Sequence, residues 1–260
     1  LLKLIKCEFW KLKRKKFIQL VIAAAFMFPI PLTYYAIKPS VMQRYNGPAD
    51  AFNGLFNDVL GFGMQFLLPS VLGIIAAILF FMERDSNTFK SLKTIPVTIE
   101  QMIFAKISVL FIFSIIFCVT STIATALCGM MVFKVNGMLC KLLMSVEMGI
   151  FIAAGTLPLI VLVVFFSKTY IFSILLCVFY SILSLSVTSL YDTLPKSILW
   201  LIPMSLTELW SADFMARHTK MNLSELSGLI PSTFCVVTIL FIMAVISIYL
   251  IIRLYKKWEE

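Results

Sequence analysis

The sequence predicts an all-α polytopic membrane protein with six transmembrane helices, and three observations lead there. Of 260 residues, 61% are hydrophobic and 13% charged, with a mean hydropathy of +1.00. Soluble domains carry about 25% charged residues. A chain this apolar cannot cover itself with polar surface, so lipid has to be its solvent. Second, six stretches reach the roughly 20 apolar residues that a spanning helix needs: residues 17–37, 59–82, 107–133, 142–166, 170–190 and 229–252. Third, the basic residues alternate in sidedness. With the N-terminus inside, the inner segments hold fifteen Lys and Arg against six acids, and the outer segments seven against seven. The whole net charge of +9 then lies on the inner side, as the positive-inside rule asks. No basic excess is left over for nucleic acid. Both termini are expected in the cytoplasm and the chain in the cell membrane.

Residues 1–16 open the chain. Leu2, Leu4, Ile5, Phe9, Trp10 and Leu12 are interleaved with Lys3, Lys6, Lys11, Lys13 and Lys15. Apolar positions at helical spacing on a basic background predict an amphipathic helix lying on the membrane surface. Its lysines would face anionic headgroups, each worth about 1 kcal/mol. The segment reads either as a topology anchor or as an elbow leading into the first span. That span is longer than the apolar core of a signal peptide. Pro29 and Pro31 predict a kink toward its outer end. The stretch that follows, with Pro39, Gly47 and Pro48, shows no strong periodicity and reads as a loop.

The segment after the second span is the most informative. Ser86 or Asn87 is placed to cap a short helix. Phe89, Leu92 and Ile95 then follow at i, i+3, i+6, and Pro96 stops the helix. Thr98 and Gln101 form a capping-box pattern that opens the third span. The expectation is one short, capped, cytoplasmic helix over residues 86–96, held between two membrane helices. A docking element for a cytoplasmic partner needs such capping, whereas a passive tether does not.

In the fourth span Gly149, Ala153, Ala154 and Gly155 allow close helix approach, and Pro158 allows a bend. Gly155 and Pro158 are candidates for a substrate-path hinge. Close bundle packing is the plainer reading. Glu147 is the one acid inside a predicted span. Acids in that position are functional candidates, although it lies near enough to the outer boundary to reach water, Lys134 or Lys141. In the long outer segment from Tyr191 to Gly228, the run Ile198–Ile202 is too short to span. It suits short re-entrant helices dipping into the outer leaflet, with Trp200 and Trp210 at headgroup depth, and both are substrate-path candidates.

The sequence offers no catalytic constellation. It contains no G-x-x-x-x-G-K-[ST] phosphate loop, so ATP hydrolysis is not expected of this chain. Its six cysteines are scattered without a C-x-x-C and read as small hydrophobes. The single histidine, His218, cannot hold a metal alone. The spans lack the paired carboxylates or His–Glu pairs of an intramembrane protease. Asn222-Leu223-Ser224 matches a glycosylation pattern short enough to arise by chance.

A basic elbow, six spans and a capped segment after the second span together resemble the ABC-2 type transporter permeases. The matching residues are Glu83, Asn87-Thr88, Leu92-x-Thr94-x-Pro96-Val97 and Ala105-Lys106. The resemblance implies that Glu83, Asn87, Thr88, Phe89, Lys90, Leu92, Thr94, Pro96 and Lys106 form a coupling element that contacts a separate cytoplasmic ATPase dimer. That partner would bind ATP and Mg, and this chain no cofactor. It also implies a second permease chain, identical or paralogous. Leu12-Lys13-Arg14 and Asn87-Thr88-Phe89-Lys90-Ser91-Leu92 are most similar to permeases of lantibiotic and bacitracin protection transporters of Gram-positive bacteria. Within that branch the substrate would be an amphipathic antimicrobial peptide cleared from the membrane. An exporter of a lipid or lipid-linked glycan, and a non-transporting peptide sensor or scaffold, remain open on the residues. One departure is Asn87, where the family often has glycine.

Overall fold

The structure, a computed structural model, describes residues 2–14, 16–85, 97–166, 170–191, 193–219 and 228–259. Every regular element among them is helical. In order they are α1 (Leu2–Arg14), α2 (Phe17–Phe26), α3 (Pro29–Ala36), α4 (Pro39–Met42), α5 (Pro48–Asp58), a π-helical stretch (Val59–Leu67), α6 (Leu68–Asp85), α7 (Ile99–Met130), α8 (Met138–Phe165), α9 (Tyr170–Thr188), α10 (Lys196–Leu201), α11 (Pro203–Thr219) and α12 (Thr233–Glu259). Among the described residues, six continuous helical runs are long and apolar enough to cross a membrane: Phe17–Ala36, Pro48–Phe81, Ile99–Met130, Met138–Phe165, Tyr170–Val187 and Thr233–Lys256. The fold is the six-helix membrane bundle that the composition predicts.

α1 is joined to the first span at Lys16, whose left-handed backbone (φ 59°) turns the chain between α1 and α2. The apolar stripe of α1 faces protein rather than open surface. Leu12 is fully buried, and the Phe9 ring stacks on Phe113 of α7 with centroids 5.1 Å apart. Leu2 and Trp10 lie on the exposed side, where the Lys13 ammonium covers the Trp10 ring at 5.5 Å. The first span breaks at Met27–Phe28, just before the prolines. Pro29 takes the first turn of α3, where its missing N–H has no partner to lose.

The second span departs most from the sequence expectation. Residues 48–58 are helix, not loop, and run through the π-helical stretch into α6 without a break. Pro48 occupies the helix start and Asp50 its first turn. Phe52, Leu55, Phe56 and Val59 then fall on one face, all buried. Thr98 and Gln101 do close the capping box, and the third span starts there at Ile99 rather than near residue 107.

α8 is the central helix. It packs against α7, α12, α6 and α11. A Cβ on Gly149 would lie 2.9 Å from the Ile115 Cα, so the α7 and α8 backbones meet where no side chain intervenes. Ser114 of α7 donates to the Gly149 carbonyl at that crossing (2.6 Å). Close packing of small residues is therefore what Gly149 supplies.

Candidate functional site

Two polar assemblies lie at opposite levels of the bundle. The first surrounds the two helix ends that flank residues 86–96, at the end of the bundle that carries both termini. α7 extends seven residues, roughly 10 Å, beyond the level at which Lys106 meets α1. Lys106 is fully buried. Its Nζ donates to the Leu79 carbonyl of α6 (2.7 Å), lies 3.6 Å from Glu8 Oε2 of α1 and stands 5.5 Å over the Phe80 ring. Glu8 is buried too, and its other oxygen accepts from Lys11 at 2.6 Å. Phe80 meets the buried Tyr255 of α12 edge-on, with centroids 5.9 Å apart. Nearly two turns further out on α7, Glu100 pairs with Lys256 of α12 at 2.9 Å. Four elements, α1, α6, α7 and α12, are thus tied together around the base of one connecting segment.

Asn87, Thr88, Phe89, Lys90, Leu92, Thr94 and Pro96 lie outside the described residues, as does the side chain of Glu83. Lys106 is the one candidate of that group whose surroundings are visible. It is interior to the bundle and presents no surface to a partner.

The second assembly lies in the half of the bundle away from the termini. α10 and α11 form a hairpin that enters the bundle between α8, α9, α12 and the π-helical stretch. Its tip touches Gly155: a Cβ there would lie 2.9 Å from atoms of both Pro203 and Met204. Gly155 is seventeen residues, roughly 25 Å, from Met138, the end of α8 on the hairpin's side of the bundle, so the hairpin penetrates deeply. Trp210 is 4% exposed and packs edge-on against Phe151 at 4.9 Å. Its indole N–H donates to Thr233 (3.1 Å). It is a core residue of the bundle rather than an exposed one. Trp200 is half-buried, donates to the Leu229 carbonyl (3.0 Å), and has the Lys196 ammonium 4.6 Å from its ring.

Gly155 meets that hairpin, and Pro158 lies three residues further along the same helix. Tyr180 of α9 donates to the Gly155 carbonyl (3.0 Å) in the turn that Pro158 disturbs. Glu147 is not part of this assembly. It is exposed on the outward side of α8 beside Leu143, Val146 and Ile150. Lys141 does not reach for it but turns inward, donating to Asn53 Oδ1 (2.8 Å) and the Asn136 carbonyl (2.9 Å) between the Phe52 and Phe56 rings.

The residues that sequence reading passes over are Gln65 and Glu208. Glu208, on α11, lines a crevice of about 20 Å³ together with Gly61, Gln65, Ser184, Leu185 and Met204. The Tyr191 hydroxyl donates to Glu208 Oε2 at 2.9 Å. Burial pushes the Glu208 carboxyl above the usual carboxylate range, while the Tyr191 hydrogen bond works the other way. The Tyr191 phenol is itself raised, first by burial and then by the Glu208 charge. Gln65 Nε2 donates to Ser211 Oγ (3.0 Å), and Ser211 in turn donates to the Glu208 main-chain carbonyl. The available sequence signal was Glu208 standing between Leu206 and Leu209-Trp210, an acid on an otherwise uncharged turn. Charge counting files it with the outer loop instead.

The family model described as ABC-2 family transporter protein matches residues 4–184. Neither the curated proteins nor the solved structures give a match.

Proposed function

Because the chain belongs to the ABC-2 transporter family, and is a multi-pass membrane component of that family, we propose that it is a permease subunit driven by a separate cytoplasmic ATPase dimer. In this reading the substrate is an amphipathic antimicrobial peptide of the lantibiotic or bacitracin kind, which is removed from the membrane. The end that carries both termini faces the cytosol, and residues 86–96 receive the ATPase. A second permease chain, identical or paralogous, completes the pathway.

The observation that supports the coupling role is the frame around that segment. A push delivered to a floppy linker is dissipated locally. Here both flanking helices are anchored, α6 through Leu79 and Phe80 and α7 through Glu100 and Lys106. A displacement transmitted through the segment would therefore act on helices that are tied to α1 and α12. The basic, Trp-bearing outer side of α1 faces the lipid headgroups in this reading, and its apolar side docks on α7.

The test is assembly. Tagged wild-type permease should co-purify with its cognate ATPase from cell membranes, and Thr88→Pro or Leu92→Asp should abolish that pairing while the permease still elutes as a folded species. If both variants retain the ATPase and full transport, the coupling assignment fails. Transport of the peptide that depends on the ATPase's catalytic residues separates an exporter from a passive sensor.

A further inference from the structure

The crevice at Glu208 has a chemistry that the transporter assignment does not supply. Its position within the bundle follows from helix geometry. Gln65 lies fourteen residues, or roughly 20 Å, along the second span from Leu79, which places the crevice in the half away from the termini. A carboxylate in such a place is costly unless it is neutral or paired with a cation. Among the described residues, no Lys or Arg comes within ion-pair distance of Glu208. The ion pairs there are Lys11–Glu8, Lys106–Glu8, Arg217–Asp213 and Lys256–Glu100.

The hydrogen-bond bookkeeping of the lining is one-sided. Tyr191 has given its hydroxyl proton to Glu208. Ser184 has given its own to the Tyr180 carbonyl (2.8 Å), which leaves oxygen lone pairs. One N–H of the Gln65 amide is held by Ser211, which leaves Oε1 to accept and one further N–H. A carboxylate, an amide oxygen and a hydroxyl oxygen thus converge around a space that itself brings no cation. The complement of three acceptors and one negative charge is a group with three donors and one positive charge.

Size narrows the choice. A space of about 20 Å³ holds one water-sized group. An ammonium head fits that space. A trimethylammonium head has no N–H to give, so it leaves these acceptors unsatisfied. Gly61 stands at the lining with nothing within 4 Å of where its Cβ would be, so this side of the crevice is open.

We propose that Glu208, with Gln65 and Ser184, forms a subsite for a primary ammonium group, the head of a lysine-like amine carried by an amphiphilic substrate. The site rests on the transporter reading for its biological use but not for its chemistry. Glu208 supplies the charge, Tyr191 fixes the carboxylate, and the π-helical stretch holds Gln65 against Ser211.

The experiment uses the full chain in phosphatidylcholine nanodiscs and measures saturable binding of tritiated octylamine, with empty nanodiscs subtracted. Unlabelled octylamine should compete, and octyltrimethylammonium and octanol should not. Glu208→Gln keeps the shape and the Tyr191 contact but removes the charge, and should weaken binding by about tenfold or more. Gly61→Leu should do the same by filling the crevice from its open side, and it serves if Glu208→Gln alters the thermal midpoint. The proposal is overturned if both variants bind as wild type or if octyltrimethylammonium competes equally. It is also overturned if NaCl in place of choline chloride displaces the amine, which would make this an inorganic cation site. The measurement needs no ATPase. Its failure therefore leaves the coupling reading standing, and loss of ATPase pairing in the assembly test would leave this site standing.

Discussion

Replacing Lys106 by Met removes the charge at the centre of the frame while keeping the length of the side chain. Lys106 Nζ lies 3.6 Å from Glu8 Oε2 and 2.7 Å from the Leu79 carbonyl, and it is fully buried. At an effective dielectric of about 20, unit charges at that separation attract by ~5 kcal/mol before desolvation is counted. The net effect is smaller, because both ions have given up solvent. Stranding one member of a buried pair costs about 3–5 kcal/mol. Glu8 would not be wholly stranded, since Lys11 stays at 2.6 Å, although that side chain is 32% exposed and partly screened. A loss of about 2–3 kcal/mol is therefore expected for Lys106→Met. For a chain of this size that is a fall of roughly 4–12 °C in thermal midpoint. Glu8→Gln combined with Lys106→Met removes the stranded charge as well, and should recover about 1 kcal/mol relative to simple addition. The assay is size-exclusion recovery after heating, run on all four members of the cycle. Were Lys106→Met to melt with the wild type, or the single effects to add, the pair would not be what holds α1 to α6 and α7.

Two further perturbations probe the rest of the scaffold. Gly149→Val forces a side chain to within 2.9 Å of the Ile115 backbone, which cannot swing away. It should cost about 1–3 kcal/mol, read as a lower thermal midpoint, while Gly61→Ala, which meets open space, should leave the midpoint unchanged. Lys141→Met deletes the bonds to Asn53 and Asn136 and should cost about 1–3 kcal/mol. Adding Asn53→Ala should then do little more, because the two residues share one interaction.

The spans were legible because lipid imposes a length and an apolar composition on every one of them, and those constraints are local. The capping box at Thr98 was legible for the same reason: four adjacent residues carry it. Residues 48–58 were not, because a helix that leaves the apolar zone loses the hydropathy signal. Asn53 and Asp58 interrupt it, and only the spacing of Phe52, Leu55 and Phe56 remains to mark the buried face. Lys106 read as a surface contact because sequence cannot show that Glu8, nearly a hundred residues earlier, would fold over it. The same blindness hid Glu208. Its significance lies in what faces it, and Gln65, Ser184 and Tyr191 come from other elements. Glu147, the acid that the sequence did single out, is exposed on the outward side of α8.

The two assemblies are joined by one continuous helical run, and that bears on how the proposed permease would work. At one end of the second span the Leu79 carbonyl is held by Lys106, and residues 86–96 follow directly. At the other end Gln65 is held by Ser211 of the inserted hairpin. A displacement applied at the segment is carried along α6 as a nearly rigid rod, because its backbone bonds are internal. The compliant place is the π-helical stretch Val59–Leu67, where looser hydrogen bonding makes a change of helical register least costly. Such a change would move together Gln65 and Gly61, two of the residues that line the Glu208 crevice. α12 offers a parallel restraint, tied to α7 through Lys256 and to the hairpin through Thr233. The hairpin is therefore held by one helix that can yield and one that shows no break over Thr233–Glu259. In the proposed mechanism, a push from the ATPase would open or close the crevice through the difference between those two attachments. A permease whose π-helical stretch is regularised to α-helix by deleting one residue between Val59 and Leu67 should still bind its ATPase and hydrolyse ATP in the complex. It should no longer couple that hydrolysis to substrate movement. Retention of full transport by that variant would mean the motion travels by another route.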